Sequence, residues 1–175
     1  MQNIYFLRHF KVIDKEDQKL NSQEFEKWVE NYDNFLLEEK ELTLPKVKKV
    51  YVSSLNRTIK TAKYLNLDFE EIPLLKEVEA KAFINTNIKF SKTFWLIVSR
   101  FLWFFNLTKY ETKKDTINRV RLFIKNFEDE DTDILIISHG LFLKVLEKEL
   151  KKIGFSSNIG ISTKNSIVYK LEKTI

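Results

Sequence analysis

The chain has 175 residues, the size of one domain at ~150 residues per domain. It contains no cysteine and two histidines, which excludes zinc ribbons, iron–sulfur clusters, thiol chemistry and disulfide-stapled scaffolds. The net charge of +5 comes from 30 basic and 25 acidic residues spread along the chain. No clustered basic stripe with interleaved aromatic residues accompanies this charge, so we expect no nucleic-acid partner.

The apolar segments are too short to target or anchor the chain. Residues 4–7 form a run shorter than the core of a signal peptide, and the run ends at Arg8. The longest apolar stretch, 94–105, has 12 residues and is interrupted by Ser99 and Arg100, whereas a membrane span needs ~20 residues. We therefore expect a soluble, cytoplasmic protein without a transmembrane segment.

Strand and helix patterns alternate along the chain. The predicted strands are residues 3–7, 47–52, 69–75 (edge-like because of Pro73), 134–137 and 166–171. The predicted helices are one after a capping box at 21–24, one at 55–65, two pieces within 89–127 (94–105, then a start near Asp115 or Thr116) and one at 141–152 with Gly154 after its end. This alternation predicts a single three-layer α/β domain over 1–175, with a mostly parallel central sheet and helices on both faces.

Both histidines directly follow predicted strands. His9 follows the strand at 3–7, and His139 follows the strand at 134–137. Sites in open α/β sheets lie at the carboxyl ends of the strands, so both side chains are placed where an active site is expected. Arg8 precedes His9, and Arg57 falls in the first turn of the helix after the second strand. Two arginines at strand ends suggest a pocket for a phosphate group.

These residue types can perform phosphoryl transfer. A neutral imidazole nitrogen can attack phosphorus and form a phosphohistidine, which divides one displacement into two steps. Arginines and a second histidine can offset the charge on the equatorial oxygens. An acid must then protonate the leaving alcohol and later deprotonate water. Glu77 and Glu79, which follow the third predicted strand, are the candidates.

Four blocks in this order resemble the signatures of the histidine phosphatase (phosphoglycerate mutase-like) superfamily. Leu-Arg-His at 7–9 resembles its opening Arg-His-Gly, and VSSLNRTIKTA at 52–62 is similar to Ser-x-Leu-x-Arg-Ala-x-x-Thr-Ala. Leu-Lys-Glu at 75–77 resembles its Leu-x-Glu, and Ser-His-Gly at 138–140 resembles its final block. The ordered set spans residues 4–140 and is specific, whereas a single Arg-His pair would not be.

The resemblance implies a role for each matched residue. His9 would be the nucleophile, Glu77 the proton donor with Glu79 as the fallback, and the phosphate would be bound by the set Arg8, Arg57 and His139. The implied fold is also three-layered α/β, and no metal or organic cofactor is implied. The expected activity is that of a histidine acid phosphatase-type phosphoric monoester hydrolase. Its substrate would be a small phosphorylated molecule or a phosphoprotein, including phosphohistidine.

The sequence departs from the family pattern at several positions. Phe10 stands where the signature has glycine, residues 11–14 lack the usual Thr and Asn, and residues 78–83 lack the glycines that normally follow the acid. These departures favour an alternative function, a weak or inactive module that binds a phosphorylated ligand in the same pocket.

The aromatic stretch 94–105 lies in the region of the family's helical insertion, here at about 84–112. It is apolar nearly all around a helix, which is typical of a buried helix or of one that faces a second copy in a homodimer. The alternatives are an apolar lid that selects a bulky phosphoester, or a surface that contacts a membrane or a partner.

Overall fold

A computed structural model describes residues 2–15, 18–127, 131–157 and 164–173. Its strands are β1 (Asn3–Arg8), β2 (Lys11–Val12), β3 (Leu37–Glu38), β4 (Lys49–Ser53), β5 (Glu70–Ile72), β6 (Ile134–Ser138), β7 (Phe155–Ser156) and β8 (Val168–Lys173). Its helices are α1 (Ser22–Asn31), α2 (Asn56–Tyr64), α3 (Lys92–Phe104), α4 (Lys113–Ile124) and α5 (Gly140–Lys152). Short 3-10 turns follow α1 and β5.

Six strands form the main sheet in the order β5-β4-β6-β1-β8-β7. The four strands β5, β4, β6 and β1 pair in parallel, and β8 pairs antiparallel with both of its neighbours. Strand β6 lies between β4 and β1, and all five of its residues are buried. A strand buried on both faces needs the continuous apolar sequence that residues 134–137 provide.

Alternate residues of β6 pack against helices on opposite faces of the sheet. Ile134 and Ile136 belong to the core cluster that includes residues of α4 and α5, whereas Leu135 and Ile137 pack with Ala62 of α2. The period-2 alternation of side chains along a strand produces this division. The predicted three-layer α/β domain with a mostly parallel sheet is confirmed.

Several local signals in the sequence act as expected. Asn21 accepts a hydrogen bond from the Glu24 N–H and the Glu24 carboxylate accepts one from the Asn21 N–H, which forms the predicted capping box. Gly154, one residue beyond the C-cap of α5, has a φ of 92°, a conformation that favours glycine.

Most boundaries differ from the prediction by one or two residues, and two of the differences have a clear local cause. The edge strand predicted over 69–75 ends at Ile72, because Pro73 cannot donate to a strand ladder and instead begins a 3-10 turn. Helix α4 begins earlier than expected, because Thr112 is its N-cap and Asp115 completes a capping box. The paired strands β2 and β3 have two residues each and carry no periodic signal that sequence could reveal.

Helices α1 and α3 form a third packed unit beside the sheet. Phe25 of α1 stacks on Trp95 of α3, with ring centroids 5.4 Å apart, and Leu20 and Ala80 complete the buried cluster. Among the described residues, no helix is both long and apolar enough to cross a bilayer. Both helices contribute side chains to a cavity at the edge of the sheet.

Candidate active site

The carboxyl ends of neighbouring parallel strands bring the two histidines together. His9 follows β1 and His139 follows β6, and these strands are paired with Arg8 opposite Ser138. The two imidazole centroids lie 5.3 Å apart, and both side chains are buried. The sequence prediction that both histidines share one edge of the sheet therefore agrees with the geometry.

Arg57 joins the two histidines. It lies in the first turn of α2, and its Nε donates to His9 Nε2 at 3.2 Å and to His139 Nδ1 at 3.1 Å. Its Nη1 pairs with the carboxylate of Asp33, and its guanidinium lies 5.5 Å from the ring centroid of Tyr32. The Asp33 carboxylate thus occupies a donor group that could otherwise bind an anionic ligand.

The hydrogen bonds of His9 define its tautomer. A carbonyl oxygen can only accept, so the 2.6 Å contact between Nδ1 and the Phe10 carbonyl oxygen places the proton on Nδ1. The lone pair of Nε2 then faces the Arg57 N–H. Burial and the positive charges of Arg57 and Arg8 lower the pKa of His9 to about 3. His9 is therefore a neutral imidazole at neutral pH, with its proton on Nδ1 and its lone pair on Nε2.

His139 is fully buried behind the cavity and is also neutral. Its Nδ1 accepts from Arg57, so its Nε2 carries the proton and donates to Ser53 Oγ at 2.8 Å. Burial, followed by the charge of Arg57 and the proximity of His9, lowers the pKa of His139 well below its usual value. Ser53 thereby fixes the orientation of the second imidazole.

Glu77 closes the amino end of α5. Its carboxylate accepts hydrogen bonds from the N–H groups of Leu141 at 3.2 Å and Phe142 at 3.1 Å, and from its own neighbour Val78 at 2.9 Å. Helix α5 follows His139 directly, so Glu77 lies at the same edge of the sheet as the histidines. A carboxylate at this position satisfies free helix donors and is favoured by the helix dipole.

Arg8 passes close to the first residue of α5. A Cβ placed on Gly140 would lie 3.2 Å from Arg8 Cζ, a distance tighter than ordinary packing contacts. Gly140 therefore leaves room for the Arg8 guanidinium beside the amino end of α5. This packing explains why a glycine follows His139 in this chain.

Glu79 and Phe10 occupy different surroundings from the residues above. Glu79 is half exposed and pairs with Lys81 at 3.0 Å on the cavity wall. The ring of Phe10 is buried edge-on against Tyr64 of α2, with centroids 5.4 Å apart, and Phe10 does not line the cavity. The bulky residue in place of the family glycine therefore does not fill the site.

A cavity of about 620 Å³ opens onto this group. Among the residues that line it are Arg8, His9, Arg57, Glu77 and Glu79, which leaves His139 as the one predicted site residue behind the wall. The remaining cationic side chains of its wall are Lys76, Lys81, Arg100 and Arg119. The wall also carries five carboxylates, those of Glu30, Asp33, Glu77, Glu79 and Glu111, so its six basic side chains exceed the acidic ones by one. The features suited to phosphate are the buried His9 and the guanidinium groups of Arg8 and Arg57.

Several residues of the site and its wall were not predicted from the sequence, among them Asp33, Ser53 and Arg100. Asp33 and Ser53 contact Arg57 and His139, and Arg100 of α3 lines the cavity and donates to the Val78 carbonyl at 2.7 Å. Ser53 is the last residue of β4, and Arg100 is the only charged residue within 94–105. The position of Ser53 at a strand end and the isolated charge of Arg100 could have indicated these two residues, whereas nothing in the sequence indicated Asp33.

The aromatic stretch is neither fully buried nor an apolar lid. Trp95 and Trp103 are buried, but the other side of α3 is exposed, and the residues of α3 that line the cavity are Leu96 and Arg100. The sequence predicts a helix that is buried or faces a second copy. One side of α3 is buried and the other is exposed, because the period of 3.6 separates two apolar faces of which only one meets the core.

Known proteins provide an independent comparison. The model of the histidine phosphatase superfamily (branch 1) matches residues 38–174, a range that includes Arg57, Glu77 and His139, while Arg8 and His9 precede it. No curated protein sequence matches the chain significantly.

Solved structures share the fold at low sequence identity. The mycobacterial glucosyl-3-phosphoglycerate phosphatase Rv2419c is 14% identical with a TM-score of 0.55, over 98% of this chain and 90% of that one. The product of open reading frame Rv3214 from Mycobacterium tuberculosis is 21% identical with a TM-score of 0.52, over 85% and 79%. A phosphoglycerate mutase from Thermus thermophilus is 15% identical with a TM-score of 0.50, over 87% and 84%. With the family model matching most of the chain, the protein belongs to the histidine phosphatase superfamily, branch 1.

Proposed function

We propose that this protein is a phosphatase that hydrolyses a phosphomonoester, or a phosphohistidine, through a covalent phosphohistidine on His9. The observation that carries the proposal is the state of His9: its proton is anchored on Nδ1 by the Phe10 carbonyl, and its Nε2 lone pair faces Arg57 at the cavity. Family membership and the presence of Arg8 and Arg57 in the cavity wall support the same reaction.

A bound phosphate would accept hydrogen bonds from N–H groups that donate to other protein side chains in this structure. The single Nε–H of Arg57 is shared between His9 and His139, and its Nη1 pairs with Asp33. Each of these two donor groups can instead bind a phosphate oxygen. Removing the Arg57 N–H from Nε2 frees the lone pair for attack. Arg8 and His139 complete the phosphate-binding set. A bound dianion would favour the protonated form of His139, whose Nδ1–H can donate to phosphate while its Nε2–H stays on Ser53.

The first step transfers the phosphoryl group to the enzyme. His9 Nε2 attacks phosphorus, the N–P bond forms, and the bond from phosphorus to the ester oxygen breaks. Glu77, in its protonated form, gives its proton to the leaving alcohol oxygen. In the second step, water attacks the phosphohistidine and gives a proton to the Glu77 carboxylate. Inorganic phosphate leaves, and Nε2 recovers its lone pair.

A second candidate function is a module that binds a phosphorylated ligand without turnover. The observation that favours it is the set of three N–H groups from which Glu77 accepts hydrogen bonds. These bonds already engage both oxygens of Glu77 with backbone donors, whereas the reaction above requires Glu77 to reach the leaving alcohol oxygen. The two functions differ in whether hydrolysis accompanies binding.

Hydrolysis of p-nitrophenyl phosphate with EDTA present tests the proposal. We expect turnover between pH ~5 and ~8, inhibition by vanadate, and a loss of ~10³-fold or more in His9→Ala. Arg57→Ala should also lower the rate, whereas Arg121→Ala, on α4 and paired with Glu149 at 2.8 Å, is the matched control and should not. An unchanged rate in His9→Ala contradicts the proposal, and vanadate binding without hydrolysis by the wild type supports the binding module.

A further inference from the structure

The segment around α3 has an unusual charge composition. Residues 80–110 contain no aspartate or glutamate, although the chain has 25 acidic residues. The same 31 positions hold four lysines and Arg100, and two more lysines, Lys113 and Lys114, follow shortly after. Lys81, Lys89 and Lys92 pair with carboxylates from outside the segment, those of Glu79, Glu24 and Asp14. The positive charge of this surface is therefore concentrated on Lys109, Lys113 and Lys114.

The same segment exposes most of the large apolar side chains found at the surface of the described chain. Of the fifteen exposed large apolar side chains among the described residues, nine lie within residues 80–110 and six lie elsewhere. The nine are Ile84, Ile88, Phe94, Ile97, Phe101, Phe104, Phe105, Leu107 and Tyr110. Isolated exposed apolar residues need no explanation, but a concentration of them marks an interaction surface.

Helical spacing gathers five of these side chains on one side of α3. Phe94, Ile97, Phe101, Phe104 and Phe105 follow one another at intervals of three, four, three and one, which we call the aromatic face. The ring centroids of Phe101 and Phe105 lie 4.7 Å apart, and those of Phe104 and Phe105 lie 5.2 Å apart. The opposite side of α3, with Trp95 and Trp103, is buried. The helix is therefore apolar toward both the protein and the solvent.

We propose that the aromatic face docks onto an anionic membrane surface, with α3 lying in the plane of the interface. Helices that bind in this way present Phe, Trp and Leu to the boundary between headgroups and acyl chains and carry basic residues beside them. Here Lys109, Lys113 and Lys114 flank the carboxyl end of the aromatic face, and Lys113 Nζ lies 3.8 Å from the Phe104 ring centroid. Lysines near the surface of an anionic leaflet each add favourable binding energy.

The nearest carboxylates offset only part of this charge at the aromatic face. Glu111 pairs with Arg119 at 2.6 Å on the cavity wall. Asp115, in the capping box of α4, keeps its negative charge near Lys114, which leaves an excess of positive charge from Lys109, Lys113 and Lys114. The length of α3, 13 residues, corresponds to ~20 Å, less than the ~30 Å of a hydrocarbon core. The helix is thus suited to lying on a bilayer rather than crossing it.

A second copy of the chain fits this surface less well. A two-fold contact places the same patch on both sides of the interface. The lysines at the carboxyl end of the aromatic face, Lys109, Lys113 and Lys114, would then be brought close to the same lysines of the second copy, and residues 80–110 offer no acidic side chain to pair with them. Anionic lipid headgroups supply the missing negative charge, which is why we assign the surface to a membrane.

Vesicle flotation tests the proposal directly. The wild-type chain should float with vesicles of phosphatidylglycerol and phosphatidylcholine, bind phosphatidylcholine vesicles alone more weakly, and dissociate as salt is raised. Phe101→Glu should weaken binding to the anionic vesicles ~10-fold or more. Leu122→Glu is the matched control, because Leu122 of α4 is 55% exposed and Phe101 is 56% exposed. That control should bind as the wild type does.

Three results would overturn the proposal. One is a wild-type chain that stays unbound to anionic vesicles. Another is an equal loss of vesicle binding in Phe101→Glu and Leu122→Glu, which would show that the added negative charge alone, and not the loss of the aromatic ring, weakens binding. The third is a wild-type dimer in light scattering that Phe101→Glu converts to a monomer without vesicle binding, which would assign the aromatic face to a second copy. Flotation needs no turnover, so each result is independent of the proposed phosphatase activity.

Discussion

His9 is held neutral by its surroundings, and this has a consequence for stability. Its pKa of about 3 in the folded protein lies below its ordinary value of 6.5. Protonation therefore favours the unfolded chain, so the contribution of His9 to stability is complete above pH ~6.5 and is lost as the pH falls toward ~3. The loss amounts to roughly 1.4 kcal/mol for each pH unit within that window.

We expect acidification to destabilise the wild type more than His9→Ala. Urea unfolding at pH ~7 and ~4.5 measures the difference, which should reach about 2–3 kcal/mol for the His9 contribution alone. His139→Ala offers a comparison of the same kind, because the pKa of His139 is lowered in the same direction. If the free energy of unfolding changes equally with pH in the wild type and in His9→Ala, the pKa of His9 is not lowered in the folded protein.

At the residue scale, the sequence predicts the site where strand ends define it. Arg8, His9, Arg57 and His139 follow strands whose apolar pattern is clear, so their convergence could be expected from topology alone. Asp33 could not be predicted in this way. Its contact with Arg57 depends on how the turn after α1 packs against α2, which no local pattern encodes.

The amino end of α5 depends on Glu77 as a cap. His139, the N-cap residue, makes no capping bond with its side chain, and the Glu77 carboxylate accepts from two backbone N–H groups of the first turn. Glu77→Gln should therefore lower the free energy of unfolding by ~1 kcal/mol. If Glu77 is also the proton donor, the same variant should lose ~10²–10⁴-fold in kcat.

Glu79→Gln is the matched control for this prediction. Glu79 is half exposed and pairs with Lys81, and exposed pairs contribute ~0–1 kcal/mol. Urea unfolding and the steady-state rate should both stay near the wild-type values. A larger loss of activity in Glu79→Gln than in Glu77→Gln would transfer the role of acid to Glu79.

At the element scale, sequence predicts existence better than boundaries. Helices with capping boxes and the buried strand β6 carry strong local signals, and each is present. The strand expected over 69–75 is shortened because a single proline changes the backbone to a 3-10 turn. For α3, the sequence left open whether the helix is buried or presents a surface, because apolar residues on both faces of a helix do not reveal which face meets the core.

At the scale of the whole molecule, the geometry of the site depends on the folded sheet, because the site residues come from distant segments of the chain, such as His9 and His139. Ile136 lies at the centre of β6, fully buried and opposite Phe6 and Tyr51 in the sheet. Ile136→Ala should cost about 2–5 kcal/mol of unfolding free energy. Ile153→Ala, at a position 42% exposed after α5, is the control and should cost less than ~1 kcal/mol.

Activity should follow folding in the Ile136 variant. We expect its thermal inactivation midpoint to fall while KM stays at the wild-type value, since the cavity residues are unchanged. Denaturation in urea and rates at increasing temperature measure the two effects. An altered KM at a temperature where the variant is folded would show that β6 positions the site locally rather than through global stability.

The most direct test of the account is to trap the phosphoenzyme. Rapid quenching at alkaline pH after mixing with p-nitrophenyl phosphate, followed by mass spectrometry of peptides, should find one phosphoryl group on His9 and none on His139. The account predicts that the label is lost in His9→Ala and disappears from the wild type as substrate is exhausted. Continued hydrolysis without a labelled histidine, or a label on a residue other than His9, would contradict it.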